Sequence, residues 1–300
     1  MKEEVRKILE KHRYKIVGNH SAVKLCHWLR ESLLRKRSCY KSKFYGIATH
    51  RCLQMTPSVA WCQHRCLFCW RPVEYTLGEK IDVPLDEPEF IVENSIRSQR
   101  ELLSGYWGDA RVSKKEMEEA YNPKHVAISL AGEPTNYPYI EELIEAYHKR
   151  GFTSFLVSNG MNPEKIAKVK PSQLYLSLIG YDEKSYLKIC RPIIKDGWKR
   201  FLESLEIFGT RKLRRVIRIT LVKGYNLEHA KKFAKLIEIA SPTFIETKGY
   251  VHVGFSRLRL KRENMPTFQE VFKFAKILEE ETGYKIKDKC EESKVVLLER

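Results

Sequence analysis

The chain has 300 residues, 43% of them hydrophobic and 31% charged, with a net charge of +17 and eight cysteines. That is too apolar for a disordered protein and long enough for one large α/β domain or two ordinary ones. No apolar run can cross a membrane, and the N-terminus MKEEVRKILEKHRYK lacks the apolar core and cleavage site of a signal peptide, so a cytoplasmic address is expected.

Residues 1–54 read as a basic N-terminal extension, helical or irregular; residues 1–60 together carry +10. Cys26, Cys39 and Cys52 lie in this extension, twelve residues in each gap. A short apolar strand ending at Ser58–Ala60 leads into WCQHRCLFCW, which holds Cys62, Cys66 and Cys69. Pro88–Ser104 reads as a helix, capped by Asp86 or Glu87, opened by Pro88 and stopped by Gly105. Then strands and helices alternate: strand His125–Ala131, helix Pro138–Lys149, strand Thr153–Ser158, helix Pro163–Val169 and strand Gln173–Leu178. Helices Glu183–Ile189 and Gly197–Phe208 follow, then strand Val216–Val222, helix Leu227–Ile239, strand Thr243–Val253, helix Thr267–Glu281 and a last strand Lys294–Leu298. Six β/α units argue for a parallel sheet and are too few for an eight-stranded barrel. A partial α/β barrel over residues 55–300 is the expected architecture, with ligands at the C-terminal ends of the strands.

The charge is not a mixed solubility surface. Residues 61–150 carry −5, whereas residues 151–300 carry +12. Arg211–Lys223 (RKLRRVIRITLVK) has six cations and no acid, and Arg257–Arg262 (RLRLKR) has four. Three basic blocks resemble the footprint of a nucleic-acid backbone.

Eight cysteines in a reducing compartment indicate metal or catalysis more than disulfides. Cys62, Cys66 and Cys69 form a C-x₃-C-x₂-C loop that three thiolates can turn onto one metal site. A structural zinc would want a fourth ligand, and His64 sits awkwardly inside the loop. A three-thiolate [4Fe–4S] cluster instead leaves one iron open to a small chelating molecule. Cys26, Cys39 and Cys52 are either buried structural thiols or a second such cluster. Cys190 and Cys290 read as core thiols.

C-x₃-C-x₂-C after the first strand of six β/α units, with an aromatic (Phe68) before the third cysteine, resembles the radical S-adenosylmethionine (SAM) superfamily. The other strand ends agree. SLAGEP places Ala131, Gly132 and Glu133 where that family binds the SAM amino group, with one glycine replaced by alanine. LVSNG offers Ser158 and Asn159 for the ribose, and Ser177 ends the next strand. Arg218 and VKGYN (Val222–Asn226) resemble the region meeting the SAM carboxylate and adenine.

With the upstream triad and basic N-terminus, the whole chain resembles the archaeal tRNA 4-demethylwyosine synthase family. That resemblance implies two [4Fe–4S] clusters, on Cys62/Cys66/Cys69 and on Cys26/Cys39/Cys52. It implies a 5′-deoxyadenosyl radical that takes a hydrogen from the methyl of 1-methylguanosine-37 of phenylalanine tRNA. Pyruvate then supplies two carbons to a third ring. Pyruvate could chelate the open iron of the second cluster or form a Schiff base with Lys41 or Lys43; Lys41 is the chosen residue. The partners are thus tRNA, pyruvate and an external electron donor; no membrane is involved, and a monomer is expected. Eukaryotic relatives carry a flavodoxin-like domain that this chain lacks, which leaves the donor open. Phosphate contacts are expected from Lys24, Arg30, Arg35, Lys36 and Arg37 and from the two later basic blocks; Trp28, Tyr40, Trp61 and Trp70 are candidates for stacking on a base. The rival readings are a zinc-binding nucleic-acid module and a radical SAM enzyme acting on another substrate.

Overall fold

A computed structural model describes residues 1–300, which fall into two compact units. The first comprises residues 1–62, 77–157 and 169–172; the second, residues 63–76, 158–168 and 173–300.

The first unit opens with α1 (Glu3–Lys11) and the antiparallel pair β1 (Lys15–Val17) and β2 (Ser21–Val23). Helices α2 (His27–Arg35) and α3 (Tyr40–Tyr45) lead into β3 (Cys52–Thr56). Then come α4 (Pro88–Leu103), α5 (Lys114–Tyr121), β4 (His125–Ile128), α6 (Ile140–Lys149) and β5 (Thr153–Ser158). β2 joins β3 antiparallel, whereas β3, β4 and β5 run parallel. α4 starts on Pro88, whose missing N–H costs nothing in a first turn, and buries Ile91, Val92, Ser95, Gln99 and Leu103 at helical spacing. Leu103 meets Leu29 and Leu33 of α2 and Met117 and Ala120 of α5, with Cys26 against the same cluster.

The second unit contains α7 (Pro163–Lys168), β6 (Gln173–Ser177), α8 (Glu183–Cys190), α9 (Gly197–Thr210) and β7 (Arg215–Leu221). It continues with α10 (Ala230–Ala240), β8 (Phe244–Gly249), α11 (Phe268–Thr282), β9 (Lys285–Cys290) and β10 (Val295–Glu299). β6, β7 and β8 are parallel; β10 joins β8 antiparallel, and β9 joins β10 antiparallel. α11 begins at a reciprocal Thr267–Glu270 capping box and ends on Gly283, whose φ of +73° closes the last turn.

Three parallel strands are therefore found in each unit, close to the expected bounds. The first differs: it ends at Thr56, not Ala60, and the division expected at residue 54 falls inside it. Pro57 cannot extend a ladder, and the Thr56 and Ser58 hydroxyls donate instead to the carbonyls of Ala131 (2.5 Å) and Glu133 (2.6 Å). The sequence reading also lacked α5, β1, β2 and β9. β9 (KIKDKC) is charged at alternate positions, the composition of a protected edge rather than of a core strand.

Candidate active site

The upstream triad lies wholly in the first unit. Cys26 and Cys39 occupy the same local position, each extended (φ −61°, ψ 140° and φ −62°, ψ 145°) just before a helix, α2 and α3. Cys52 is the first residue of β3, so a strand start and two helix starts meet. Burial, then the nearby Cys26 and Cys39 thiols, push the Cys52 thiol up to about 12, while Lys41 pulls the other way. The twelve-residue gaps have no periodic meaning; each holds one helix and its return. Such a crowded set of half-buried thiols fits a metal cluster that takes them as thiolates.

Lys41 sits on α3 beside this triad, half-buried, its ammonium 4.5 Å from the centre of the buried Phe155 ring. Lys43, one step further, is exposed. The structure thus separates two lysines that the sequence left equivalent.

At the end of β4, Gly132 has φ +64°, and a Cβ there would lie 1.7 Å from the Ser58 carbonyl oxygen. Only glycine fits this turn. The Glu133 backbone N–H donates to the Trp61 carbonyl at 2.7 Å, and its buried carboxylate accepts from the Thr135 hydroxyl (2.7 Å) and N–H (3.2 Å). The AGE motif is thereby locked to the segment that leads into Cys62.

Cys62 closes that segment in the first unit, while Cys66 and Cys69 lie in the second. There the Cys69 N–H donates to the Cys66 carbonyl at 3.2 Å. Arg259, far downstream, clamps this loop: its guanidinium donates to the carbonyls of Leu67 (3.2 Å) and Cys69 and pairs with Glu74. Phe68 and Leu67 pack on Val222, Tyr250 and Leu260. The sequence places Arg259 in a basic block expected to contact phosphates; its side chain is 7% exposed and serves the cysteine loop.

Other basic residues and one cysteine also find internal partners. In the 211–223 block, Arg215 reaches the terminal carbonyls of Phe208, Gly209 and Ala240, Arg211 that of Ala167, and Lys223 pairs with Glu270. Arg211, Arg215 and Lys223 thus cap helices and hold elements together, whereas Lys212 and Arg214 of the same block are exposed. Cys190 is more than a packing thiol: it contacts Cys66, and that bond together with burial holds the Cys66 thiol well above its ordinary value.

Ser158 and Asn159 shape the turn after β5. The Ser158 hydroxyl accepts from Gly160 N–H at 3.0 Å and the Asn159 side chain from Met161 N–H at 2.9 Å. Ser177 is opposite Arg218 in the β6–β7 register. Arg218 lies over the Tyr175 ring at 4.4 Å and donates to the fully buried Glu246 carboxylate at 2.9 Å. Glu246 could not have been singled out from IETKG alone, because its partner is 28 residues away on another strand.

Residues 56–237 match the family described as the radical SAM superfamily, and residues 239–300 that described as wyosine base formation. The chain belongs to the radical SAM superfamily and, within it, to the wyosine-forming enzymes. The S-adenosyl-L-methionine-dependent tRNA 4-demethylwyosine synthase of Pyrococcus abyssi is 52% identical over 100% of this chain and 90% of its own. The enzyme of that name from Methanocaldococcus jannaschii is 49% identical over 99% and 96%. A TYW1 solved with a lysine–pyruvate adduct bound superposes with a TM-score of 0.92 at 48% identity, covering 100% of this chain and 96% of that one. An archaeal TYW1 crystal structure gives 0.84 at 43%, with the same coverage. The fold class is the α/β radical SAM fold, the partial barrel expected from six β/α units. Wyosine-forming radical SAM enzymes use SAM and carry two iron–sulfur clusters, and three-thiol donor sets suit them. No helix of the chain is long and apolar enough to cross a membrane.

Proposed function

We propose that this chain makes the tricyclic 4-demethylwyosine base from 1-methylguanosine-37 of phenylalanine tRNA and pyruvate. The observation that carries this reading is the meeting of Cys26, Cys39 and Cys52 with Lys41, in a chain 52% identical to a tRNA 4-demethylwyosine synthase.

Cys62, Cys66 and Cys69 hold one [4Fe–4S] cluster, and Cys26, Cys39 and Cys52 the other. When bound, the first cluster supplies the electron that splits SAM into methionine and a 5′-deoxyadenosyl radical. Gly132 and Glu133 bind the SAM amino group; Ser158, Asn159 and Ser177 face its ribose; Arg218, preset by Glu246, meets a carboxylate. Lys41 forms the Schiff base with pyruvate: its amine nitrogen attacks the ketone carbon and the oxygen leaves as water. A lysine–pyruvate adduct in a relative 48% identical to this chain supports that role. The buried ring of Phe155 keeps the lysine stem on an apolar floor, limiting water around the new imine.

Exposed Arg35, Lys36 and Arg37, anchored through the buried Glu31 and through Glu116, supply phosphate contacts for the tRNA. The enzyme works in the cytoplasm as a monomer with an external one-electron donor. The test is anaerobic: purified protein, reductant, SAM, pyruvate and tRNA bearing 1-methylguanosine, with mass analysis of the nucleosides. The tricyclic base should require both SAM and pyruvate, and the iron content should be about eight per chain, falling to about four in Cys26→Ala. Intact clusters without that product would overturn the substrate assignment.

A further inference from the structure

We propose that His64, Cys66 and Cys190 form a binding site for a single Zn2+ ion in the chain that has not yet received its clusters. The three residues meet because the cysteine loop pairs with the end of α8. Arg65 N–H donates to the Cys190 carbonyl (3.1 Å), Leu67 N–H to Ile189 (2.9 Å), and Ile193 N–H to Gln63 (2.9 Å). Two segments far apart in sequence therefore lie side by side, with His64 bridged to Pro192. One ligand atom from each of His64, Cys66 and Cys190 lies within 4.8 Å of the others. His64 and Cys190 are 4% and 2% exposed.

The histidine ring is held in place. The Tyr186 hydroxyl lies 2.7 Å from His64 Nε2 and 3.3 Å from Met161 Sδ. A hydrogen bond to one ring nitrogen orients an imidazole for ligation through the other, as in metal-bound histidines. Two thiols and one imidazole match the preference of zinc for sulfur and nitrogen, with water as the fourth ligand. Binding releases two thiol protons, and two thiolates neutralise the ion in a buried place.

Cys66 is also a ligand of the SAM-binding cluster in the function proposed above. Zinc here and that cluster are then mutually exclusive. This exclusion rests on that assignment; the zinc site itself does not.

The experiment uses the full chain, freed of clusters and metals under argon and titrated with Co2+ as a spectroscopic stand-in for Zn2+. One Co2+ should bind with tetrahedral thiolate bands and be displaced by Zn2+. Cys190→Ser and His64→Ala should each weaken binding by about 100-fold, with unchanged circular dichroism, whereas Cys62→Ser and Cys69→Ser should not. The reverse pattern, loss in Cys62→Ser and Cys69→Ser only, overturns the site and puts the metal on the loop cysteines alone. One equivalent of Zn2+ added before cluster reconstitution should limit iron uptake to about four per chain in the parent, those of the Cys26/Cys39/Cys52 cluster, and leave about eight in Cys190→Ser, which remains active. Normal iron uptake by zinc-loaded parent chain would overturn the sharing of Cys66, and with it the cluster assignment, while the cobalt result stands separately.

Discussion

Glu246 on β8 is fully buried, and its carboxylate accepts the Arg218 guanidinium of β7 at 2.9 Å, the two residues being partners in the parallel register. Tyr175 adds a hydroxyl to the same carboxylate at 3.2 Å and a ring beneath the guanidinium. Removing one partner of such a pair strands the other. Glu246→Ala should lower stability by about 3 kcal/mol, since Arg218 keeps a little access to water (18% exposed). Glu246→Leu with Arg218→Met should recover much of that loss. Urea unfolding of the cluster-free chain measures both.

Arg259 holds two carbonyls of the cysteine loop with a planar fork that lysine lacks. Arg259→Lys should fold normally yet lose iron to a chelator about tenfold faster than the parent. Equal rates of iron release, followed by absorbance, would show that the clamp does not secure the loop.

His20 is buried between Pro57 and Asp86. Its Nδ1 bonds the Pro57 carbonyl (2.6 Å), and its Nε2 accepts the Asp86 backbone N–H (2.9 Å), so the ring is neutral although the Asp86 carboxylate is 3.4 Å away. Burial, the largest influence, lowers its proton affinity despite the Pro57 and Asp86 oxygens. The unfolded chain then binds this proton more readily than the folded one. The resulting stability is fully present above about pH 6.5 and declines as pH falls toward the lowered folded value. Melting temperature should drop from pH 7.5 to 5.5, and more steeply in the parent than in His20→Asn.

Gly132→Ala places a methyl carbon 1.7 Å from the Ser58 carbonyl oxygen in a left-handed turn. A loss of about 2 kcal/mol or more is expected, together with weaker SAM binding, because Glu133 moves with the turn. Calorimetry reads the first and equilibrium dialysis of SAM the second.

Lys41→Ala should retain SAM cleavage and lose tricyclic product at least about 100-fold, and borohydride should no longer fix labelled pyruvate to the chain. Lys43→Ala, altering an exposed residue, should stay within about twofold of the parent. Borohydride trapping on Lys43 would reverse the assignment.

What was legible in the sequence was local. Short strings such as WCQHRCLFCW, SLAGEP and LVSNG fall at or just after strand ends, and their chemistry depends on residues adjacent in the chain. Period and capping signals placed most helices and strands within a few residues. α5 carries a signal of its own, the Ser113–Glu116 capping box.

The sequence by itself determined the superfamily, the six β/α units and the two sets of three cysteines, because these are written as contiguous patterns. Only the tertiary structure decided which of the basic residues are committed internally, with Arg215 capping helices, Arg218 pairing with Glu246 and Arg259 clamping the cysteine loop. It also decided that Lys41, rather than Lys43, lies half-buried beside Cys52, and that Cys190 touches Cys66. The physical reason is common to all of these. A buried charge or thiol must find a partner, and strand register and loop pairing, not distance along the chain, determine which partner is within reach.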